Sequence, residues 1–557
     1  MNFLDILFER LRRDGDSPVL QEIRDGKIIS VNGLEFLALI QTAREFMNQA
    51  GLRKLDRCAL LAPNSIRWAA LDLALMAEGI TVIPLYSRQA PSELAAMIQD
   101  ASPSLVCCGD QELLDAIQNH LNQPPLTTFE KVFADKSKLE TSGSQSAGNP
   151  VSLALEDPVA IIYTSGTSGE PKGVVLTVRN LNHMLPCTNE RLDRLMGARQ
   201  EPDRVFHYLP LNFAGSWIIL LTCLSRKSVV ALSTDLAKLG DELKLAEPNY
   251  FLNVPTLLER VRGKIEEQIR QRSNLAASLF EKARKAWLRL HQEKAKPMDP
   301  IWLAIANTFM FPSVRKSLGP NLKALICGSA PLALETQLFY AMLGVPVLQG
   351  YGLTETTALC TLDDPRAVEP GRVGLAIPSV EMLLGENQEI LVRGPNVFAG
   401  YWNKPEATAR VLKDGWFHTG DQGEVNLAGN WRIIGRLKEL IILNSGHNIA
   451  PDPIEDQLLR SLPGAQHVML HGNNRSYLVA LVSLAGSNSV TREAIDAAVA
   501  LVNADLPHYK QIRNFHFGSS LFTIENGLLT ANGKLKRPAI AARYQETIEK
   551  MYRKPQP

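Results

Sequence analysis

The chain has 557 residues, 45% of them hydrophobic, enough to bury a sizeable core and to divide into more than one domain. Lys and Arg number 59 against 58 Asp and Glu, a formal charge of +1 that argues against a nucleic-acid partner. Seven cysteines with no Cys-x-x-Cys spacing predict neither a disulfide framework nor a zinc site, and the adjacent Cys107 and Cys108 read as core in a reducing compartment.

The segment Met1 to Arg13 lacks the apolar centre of a signal peptide, and no apolar run approaches the roughly 18–20 residues of a membrane span. A cytoplasmic protein is the expectation. In chain order, Gly33 to Ala50 has helical spacing, Cys58 to Ala62 reads as a strand, Ile66 to Gly79 as a helix and Thr81 to Leu85 as a strand. Such alternation predicts layered α/β structure. The polar segment from Lys136 to Asn149 reads as a surface connection.

Residues 163 to 173, Tyr-Thr-Ser-Gly-Thr-Ser-Gly-Glu-Pro-Lys-Gly, follow the apolar run Val159 to Ile162 and precede Val174 to Leu176. The pattern is strand, polar loop, strand. Gly166, Gly169 and Gly173 let the backbone approach an anion, while Thr164, Ser165, Thr167 and Ser168 donate hydroxyls and Lys172 supplies a charge. A polyphosphate fits. A solvated turn has the same composition, but a tight turn has no use for so long a polar run. No Gly-Lys-Ser/Thr ending is present, so this is not a Walker loop.

The loop resembles the phosphate loop of the adenylate-forming (AMP-binding) superfamily, which includes acyl-CoA synthetases, luciferases and peptide-synthetase adenylation domains. Further strings follow in that family's order: Gly328-Ser329-Ala330-Pro331, then Gln349-Gly350-Tyr351-Gly352-Leu353-Thr354-Glu355-Thr356, Gly415-Trp416-Phe417-His418-Thr419-Gly420-Asp421, Arg436, and Gly533-Lys534. Each alone is matched by an ordinary turn, cap or basic loop; the ordered set is not.

The resemblance implies that Tyr351 stacks on adenine beside Gly352, with Gly328, Ser329 and Ala330 at the adenine edge and acyl pocket. It implies that Thr354 approaches the α-phosphate, that Glu355 holds Mg²⁺ with Thr167, and that Asp421 and Arg436 hold the ribose of ATP. Lys534 is the implied catalytic lysine, with Lys536 the competing assignment in the same basic run. The implied hinge is Lys438, and Ser445, Gly446 and His447 are implied to approach the thiol path of coenzyme A. Tyr401-Trp402-Asn403-Lys404-Pro405 is also family-like and is assigned to packing.

The implied fold is the acyl-CoA synthetase-like one, a large N-terminal domain of layered α/β subdomains and a small mobile α+β C-terminal domain. A change of texture at Gly435-Arg436-Leu437-Lys438 places the boundary there, giving 1–435 and 436–557. The long separation of Tyr163 from Tyr351, with its extra helical stretch from Arg262 to Lys296, resembles the long-chain fatty acyl branch, as do Phe311 to Gly319 and Ile524 to Thr530. The implied activity is conversion of a medium- to long-chain fatty acid to its acyl-adenylate and then to its coenzyme A thioester. Transfer to an acyl carrier protein, and a non-catalytic acyl-nucleotide sensor, are the alternatives.

One departure stands out: where the family carries a histidine after Leu209-Pro210-Leu211, this chain has Asn212 and Phe213. From Leu275 to Lys296, the positions Leu275, Leu279, Ala283, Ala286 and Leu290 form a helical stripe beside Lys282, Arg284, Lys285, Arg289, Lys294 and Lys296. A basic amphipathic helix of this kind either rests on the inner membrane face or packs on its own protein.

Overall fold

The computed structural model of the chain describes residues 2–121, 124–134, 148–165, 171–198, 201–291, 294–485, 490–523, 526–530 and 533–553. It divides into two units: one of Met1–Met382, Val392–Phe417 and Val425–Arg432, and a smaller one of Leu383–Leu391, His418–Glu424 and Ile433–Pro557.

Local sequence explains the early elements of the larger unit. Asn32 caps the helix Gly33–Gln49 by accepting from the Glu35 N–H at 2.8 Å, while the Glu35 carboxylate accepts from the Asn32 N–H at 2.8 Å. This reciprocal cap fixes where the helix starts. Ser65 caps the helix Ile66–Ala77, which is buried at every position except Arg67 and mostly apolar. The strand Thr81–Leu85 is likewise buried at every position, as a parallel strand covered on both faces must be.

These strands belong to a seven-stranded sheet in the order Gly400–Tyr401, Pro171–Thr177, Pro158–Ser165, Thr81–Leu85, Arg57–Leu61, Leu105–Cys108, Leu126–Thr128. Its last five strands run parallel, and Pro171–Thr177 turns back antiparallel on Pro158–Ser165. A nine-stranded sheet of the same unit has a parallel centre of Pro18–Arg24, Ser228–Ser233, Asp203–His207, Tyr250–Asn253, Ala324–Cys327 and Val347–Tyr351. Phe206, Phe251, Leu325, Phe339 and Tyr340 pack its core together with Phe280 and Ala283 from the helical stretch.

That stretch is four helices: Pro255–Arg272, Asn274–His291, Asp299–Phe309 and Phe311–Leu318. Its second helix corrects the amphipathic reading. Ala283 and Ala286 are fully buried along with Phe280, whereas Leu275 points to solvent, 83% exposed. Arg289 is paired with the buried Asp299, and Lys282 lies 4.3 Å from the centre of the Trp302 ring. The real apolar stripe therefore faces the protein, because Phe280 and Trp287 share a side with Ala276 and Ala283.

In the smaller unit, the sheet Ala465–His471, Leu478–Leu484, Ile512–Ser519 is covered on both faces. Leu478, Ala480 and Val482 pack with the helices Asp452–Ser461 and Arg492–Ala504, while Val479 and Leu481 pack with Ile540, Ile548 and Met551. A seven-residue apolar strand results from period-two alternation into two apolar layers.

Arg537 joins the last helices to this framework. Its guanidinium donates to Glu455 at 2.6 Å from each of two nitrogens and to Asp452 at 2.7 Å, and Glu455 also accepts from the Leu470 N–H at 2.6 Å. Burial pushes the Glu455 carboxyl up, against the lowering effect of Arg537. Removing the cation alone leaves a buried carboxylate uncompensated. Arg537→Met should cost about 3–5 kcal/mol of unfolding free energy, and adding Glu455→Gln should recover much of that loss. The raised carboxyl pKa means the single variant should be least impaired at acid pH, where Glu455 is protonated, and should lose stability as pH rises. Denaturant titrations of both variants across pH check this.

Candidate functional site

The larger unit places the flanks of the predicted phosphate loop at the end of a strand pair. Tyr163 pairs with Gly173, Thr164 with Lys172, and Ser165 with Pro171 across Pro158–Ser165 and Pro171–Thr177. Gly166, Thr167, Ser168 and Gly169 lie outside the described residues. Gly173 is required by packing: a Cβ there would lie 2.7 Å from Ile161 Cγ2 and 3.2 Å from Tyr163 Cζ. On its far side the same strand pairs with Gly400–Tyr401, and the Trp402 N–H donates to the Gly173 carbonyl at 2.7 Å.

That pairing gives Tyr401, which reads as a packing residue in the sequence, a chemical role. Its hydroxyl donates to Glu355 Oε1 at 2.8 Å, and Lys172 Nζ lies 5.0 Å from the centre of its ring. Burial, and after it the Glu355 charge, pushes the phenol well above its usual range, so it stays a donor. Lys172, Tyr401 and Glu355 thus form one cluster from three separate segments. The signal was present in the Tyr401-Trp402-Asn403-Lys404-Pro405 string, but only the strand pairing shows which residue of it faces the carboxylate.

Tyr351 ends the strand Val347–Tyr351, and Gly328, Ser329 and Ala330 follow the neighbouring parallel strand Ala324–Cys327. Ligands bind at the carboxyl ends of such strands. A Cβ on Gly328 would lie 3.3 Å from the Gly350 carbonyl, which shows how closely the two segments approach. Ser329 sits at φ +74°, an uncommon conformation for a residue with a side chain, and is exposed, as is Ala330. Behind Tyr351, Asp363 accepts from the Gln349 N–H at 2.8 Å, and burial pushes this carboxyl up to about 7.

Gly352 turns the chain where no side chain fits, since a Cβ would meet the Ala358 carbonyl oxygen at 2.2 Å. The short helical turn Thr354–Thr356 follows, held by the Leu353 N–H donating to Thr356 Oγ1 at 2.9 Å. This turn carries Thr354 and Glu355, and the Phe398 N–H donates to the Glu355 carbonyl at 2.9 Å. No group of three or more His, Cys, Asp or Glu residues is arranged for a metal among the described residues. A single carboxylate suits Mg²⁺ held largely by substrate phosphates and water.

The Leu209-Pro210-Leu211 segment is clamped by Asn64, which donates to the Leu209 carbonyl at 2.9 Å and accepts from the Leu211 N–H at 3.0 Å. Phe213 then occupies the N-cap of the helix Ala214–Ser225 without a side-chain cap, its ring against Gly215. The nearby His207 is fully buried, and that burial lowers its pKa to about 4, so it is neutral at pH 7.

The smaller unit gathers Asp421, Arg436 and Lys534. Glu389 holds the turn before Asp421, accepting from the Gly420 N–H at 2.9 Å and bonding His418 Nδ1 at 3.0 Å; Gly420 itself sits at φ +71°. Asp421 is buried and pairs with Arg436 Nε at 3.1 Å. Lys534 follows Gly533, whose φ of +74° suits glycine, and its backbone is tied to Thr530 by bonds of 2.8 and 3.0 Å. The residue is exposed, with the charges of Arg436, Glu439, Asp421 and Asp452 around it. Desolvation there, and then the Arg436 charge, lowers its pKa, with Glu439, Asp421 and Asp452 opposing. Lys536 instead donates its backbone N–H to Leu528 at 2.9 Å.

Lys438 is exposed in the short turn Leu437–Glu439. Ser445, Gly446 and His447 form an exposed hairpin tip, with Ser445 Oγ 2.9 Å from His447 Nδ1 and the His447 ring stacked 4.2 Å from Tyr509.

A family model described as AMP-binding enzyme matches residues 7–402, and one described as AMP-binding enzyme C-terminal domain matches 438–556. The chain is 27% identical to the long-chain-fatty-acid–CoA ligase FadD15 of Mycobacterium bovis, over 99% of this chain and 97% of that protein. It is 28% identical to the long-chain-fatty-acid–[acyl-carrier-protein] ligase AEE15 of Arabidopsis thaliana, over 91% of this chain and 81% of that one. In fold it is similar to a Mycobacterium tuberculosis fatty acyl CoA synthetase, with a TM-score of 0.65 over 98% of this chain and 99% of that structure at 22% identity. The first match alone spans well over half of the residues and includes the phosphate-loop flanks, Tyr351 and Glu355, so the chain belongs to the AMP-binding enzyme family.

Proposed function

We propose that this enzyme activates a medium- to long-chain fatty acid with ATP and passes the acyl group to coenzyme A, releasing pyrophosphate and AMP. The observation that carries the nucleotide chemistry is the Lys172–Tyr401–Glu355 cluster at the mouth of the phosphate-loop strands. Substrate class rests on near full-length similarity to long-chain-fatty-acid–CoA ligases, which spans the four helices between Pro255 and Leu318.

In the first step a carboxylate oxygen attacks the α-phosphorus, forming an O–P bond as the bond to pyrophosphate breaks. Lys172 and the loop it follows receive the β- and γ-phosphates, with Thr164 to Gly169 lining them and Thr354 at the α-phosphate. Glu355, with Thr167, would hold Mg²⁺, which when bound neutralises phosphate charge. Tyr351 stacks on adenine against Gly328, Ser329, Ala330 and Gly352, and Asp421 with Arg436 takes the ribose hydroxyls. Lys534 stabilises charge on the transferring oxygens. In the second step the thiol attacks the acyl carbonyl and AMP leaves. We assign residues 1–435 to nucleotide and acyl binding and 436–557 to a mobile part. Rotation about Lys438 between steps would exchange Lys534 for Ser445, Gly446 and His447.

Similarity to the acyl-carrier-protein ligase keeps a second acceptor in view. Acid-dependent AMP formation should accelerate on adding coenzyme A. Acceleration only with phosphopantetheinylated carrier protein would replace coenzyme A as acceptor, and absence of pyrophosphate release with every acid tested would favour a sensor.

Lys534→Ala should lower adenylation by orders of magnitude while still transferring a supplied acyl-adenylate to the thiol, and equal loss of both half-reactions would remove Lys534 from the role. Because its pKa is lowered, the charged ammonium is lost on the alkaline side below the ordinary lysine range. Adenylation kcat/KM should therefore fall at high pH along a limb that Lys534→Arg moves upward.

Tyr401→Phe removes the hydrogen bond to Glu355 and keeps the ring under Lys172. A bond to a charged acceptor is worth enough to slow adenylation about tenfold. Single-turnover assays should show transfer from supplied adenylate unchanged, and a melting curve should match the wild type.

A further inference from the structure

The strands Asp203–His207, Tyr250–Asn253 and Ala324–Cys327 run parallel and side by side, with Phe251 opposite both Phe206 and Leu325, and Asn253 opposite Cys327. Continuing that register by two residues sets Tyr208 level with Asn253. Because side chains alternate along a strand, Tyr208, Asn253 and Cys327 form one row on the face that carries Phe206, Phe251 and Leu325. That face packs in the apolar core with the helices between Pro255 and Leu318. The row lies at the carboxyl ends of the strands, just inside the Gly328–Ala330 segment, where Ser329 and Ala330 are already exposed.

Asn253 is 1% exposed and brings an amide to the edge of this core. Its nitrogen donates to the Phe251 carbonyl at 2.9 Å, which fixes the orientation of the amide, and its Oδ1 has no hydrogen-bond partner among the described residues. A buried acceptor is costly to leave unpaired, so such an atom calls for a partner from outside the chain. The Tyr208 hydroxyl is also buried and outside hydrogen-bond geometry with any described residue. It lies beside the backbone of Val254, the residue after Asn253, and burial pushes the phenol well above its usual range, so it keeps its proton. Stacking on Phe206, with 6.4 Å between ring centres, holds the Tyr208 ring in place.

We propose that Tyr208 and Asn253 bind a hydroxyl group on the carboxyl-proximal part of the acyl chain, so that the enzyme selects hydroxylated fatty acids over unsubstituted ones. A hydroxyl is donor and acceptor at once, which complements the pair: its proton goes to Asn253 Oδ1, and its oxygen accepts from the Tyr208 hydroxyl. A keto group has no proton for Oδ1, and a plain methylene leaves both groups unpaired. Position along the chain follows from the sheet. Asn253 is level with Gln349 across Cys327, two residues before Tyr351, so the pair lies close to the nucleotide end of the site. The inference rests on the reading of this enzyme as a fatty acid-activating ligase and narrows its substrate class.

The test is ATP–pyrophosphate exchange by the full chain with decanoate, 2-hydroxydecanoate and 3-hydroxydecanoate. One of the hydroxy acids should exceed decanoate in kcat/KM by about tenfold or more. Asn253→Leu, which removes the acceptor at similar volume, and Tyr208→Phe, which keeps the stacked ring, should each bring that ratio close to one and melt like the wild type. If Asn253→Leu does not fold, the wild-type ratio and Tyr208→Phe still decide the matter. Exchange with decanoate that neither hydroxy acid surpasses would overturn this inference alone, as would a preference that survives in Tyr208→Phe and in a folded Asn253→Leu. Exchange with no acid at all would overturn the ligase reading and this inference with it.

Discussion

The nucleotide side of this enzyme depends on how closely three backbone segments approach at Gly173. With Ile161 and Tyr163 on one side and Trp402 on the other, any Cβ at this position would push the strands apart. The pairing of Gly400–Tyr401 on Pro171–Thr177 would then lose register, and Tyr401 would no longer reach Glu355 or lie under Lys172. A glycine chosen for close packing thereby sets the distance between a cation and a carboxylate from chain segments more than 180 residues apart. The second glycine of this kind, Gly352, lets the Thr354–Thr356 turn fold back on Ala358 and fixes the carboxylate end of the same cluster.

The smaller unit solves a different problem, presenting a lysine on a tight loop without letting that loop wander. Lys534 sits between backbone bonds to Thr530 and the helix Arg537–Arg543, and Arg537 is bound to Glu455 and Asp452 on another helix. Anchorage is therefore ionic on one side of the lysine, and on the other it rests on the Thr530 N–H donating to the Lys534 carbonyl and the Thr530 hydroxyl accepting from the Lys534 N–H. The nearby Arg436 contributes to the lowered pKa of Lys534 and at the same time pairs with Asp421, so one guanidinium couples the charge state of the lysine to the Asp421 carboxylate.

Much of this was legible in the sequence. The two strands that flank the phosphate loop and the alternation from Gly33 to Leu85 emerged as read, because apolar periodicity and caps such as Asn32/Glu35 and Ser65 are local. Tyr351 and the Gly328 turn came together because they end adjacent parallel strands, which motif order alone suggested. Tyr401 was not legible as chemistry, since its partner Glu355 is reached only through sheet pairing. Arg537 was passed over for the same reason. The helix from Leu275 misled because alanines fit either side of a helix; Phe280 and Trp287 decide the buried side by volume.

Phe213 stands where the resembled family carries a histidine, and the two side chains differ in chemistry. A histidine can hold a proton, whereas a phenyl ring packed on Gly215 can only exclude water. His207 does not replace it, since full burial keeps it neutral and out of solvent. This loss is tolerable for a fatty acid: its carboxylate is already ionised at neutral pH and needs no base to attack phosphorus. An acyl-adenylate carries a good leaving group, so thiol attack on one can rest on exclusion of water in place of a general base, and an apolar ring serves such exclusion better than an imidazole.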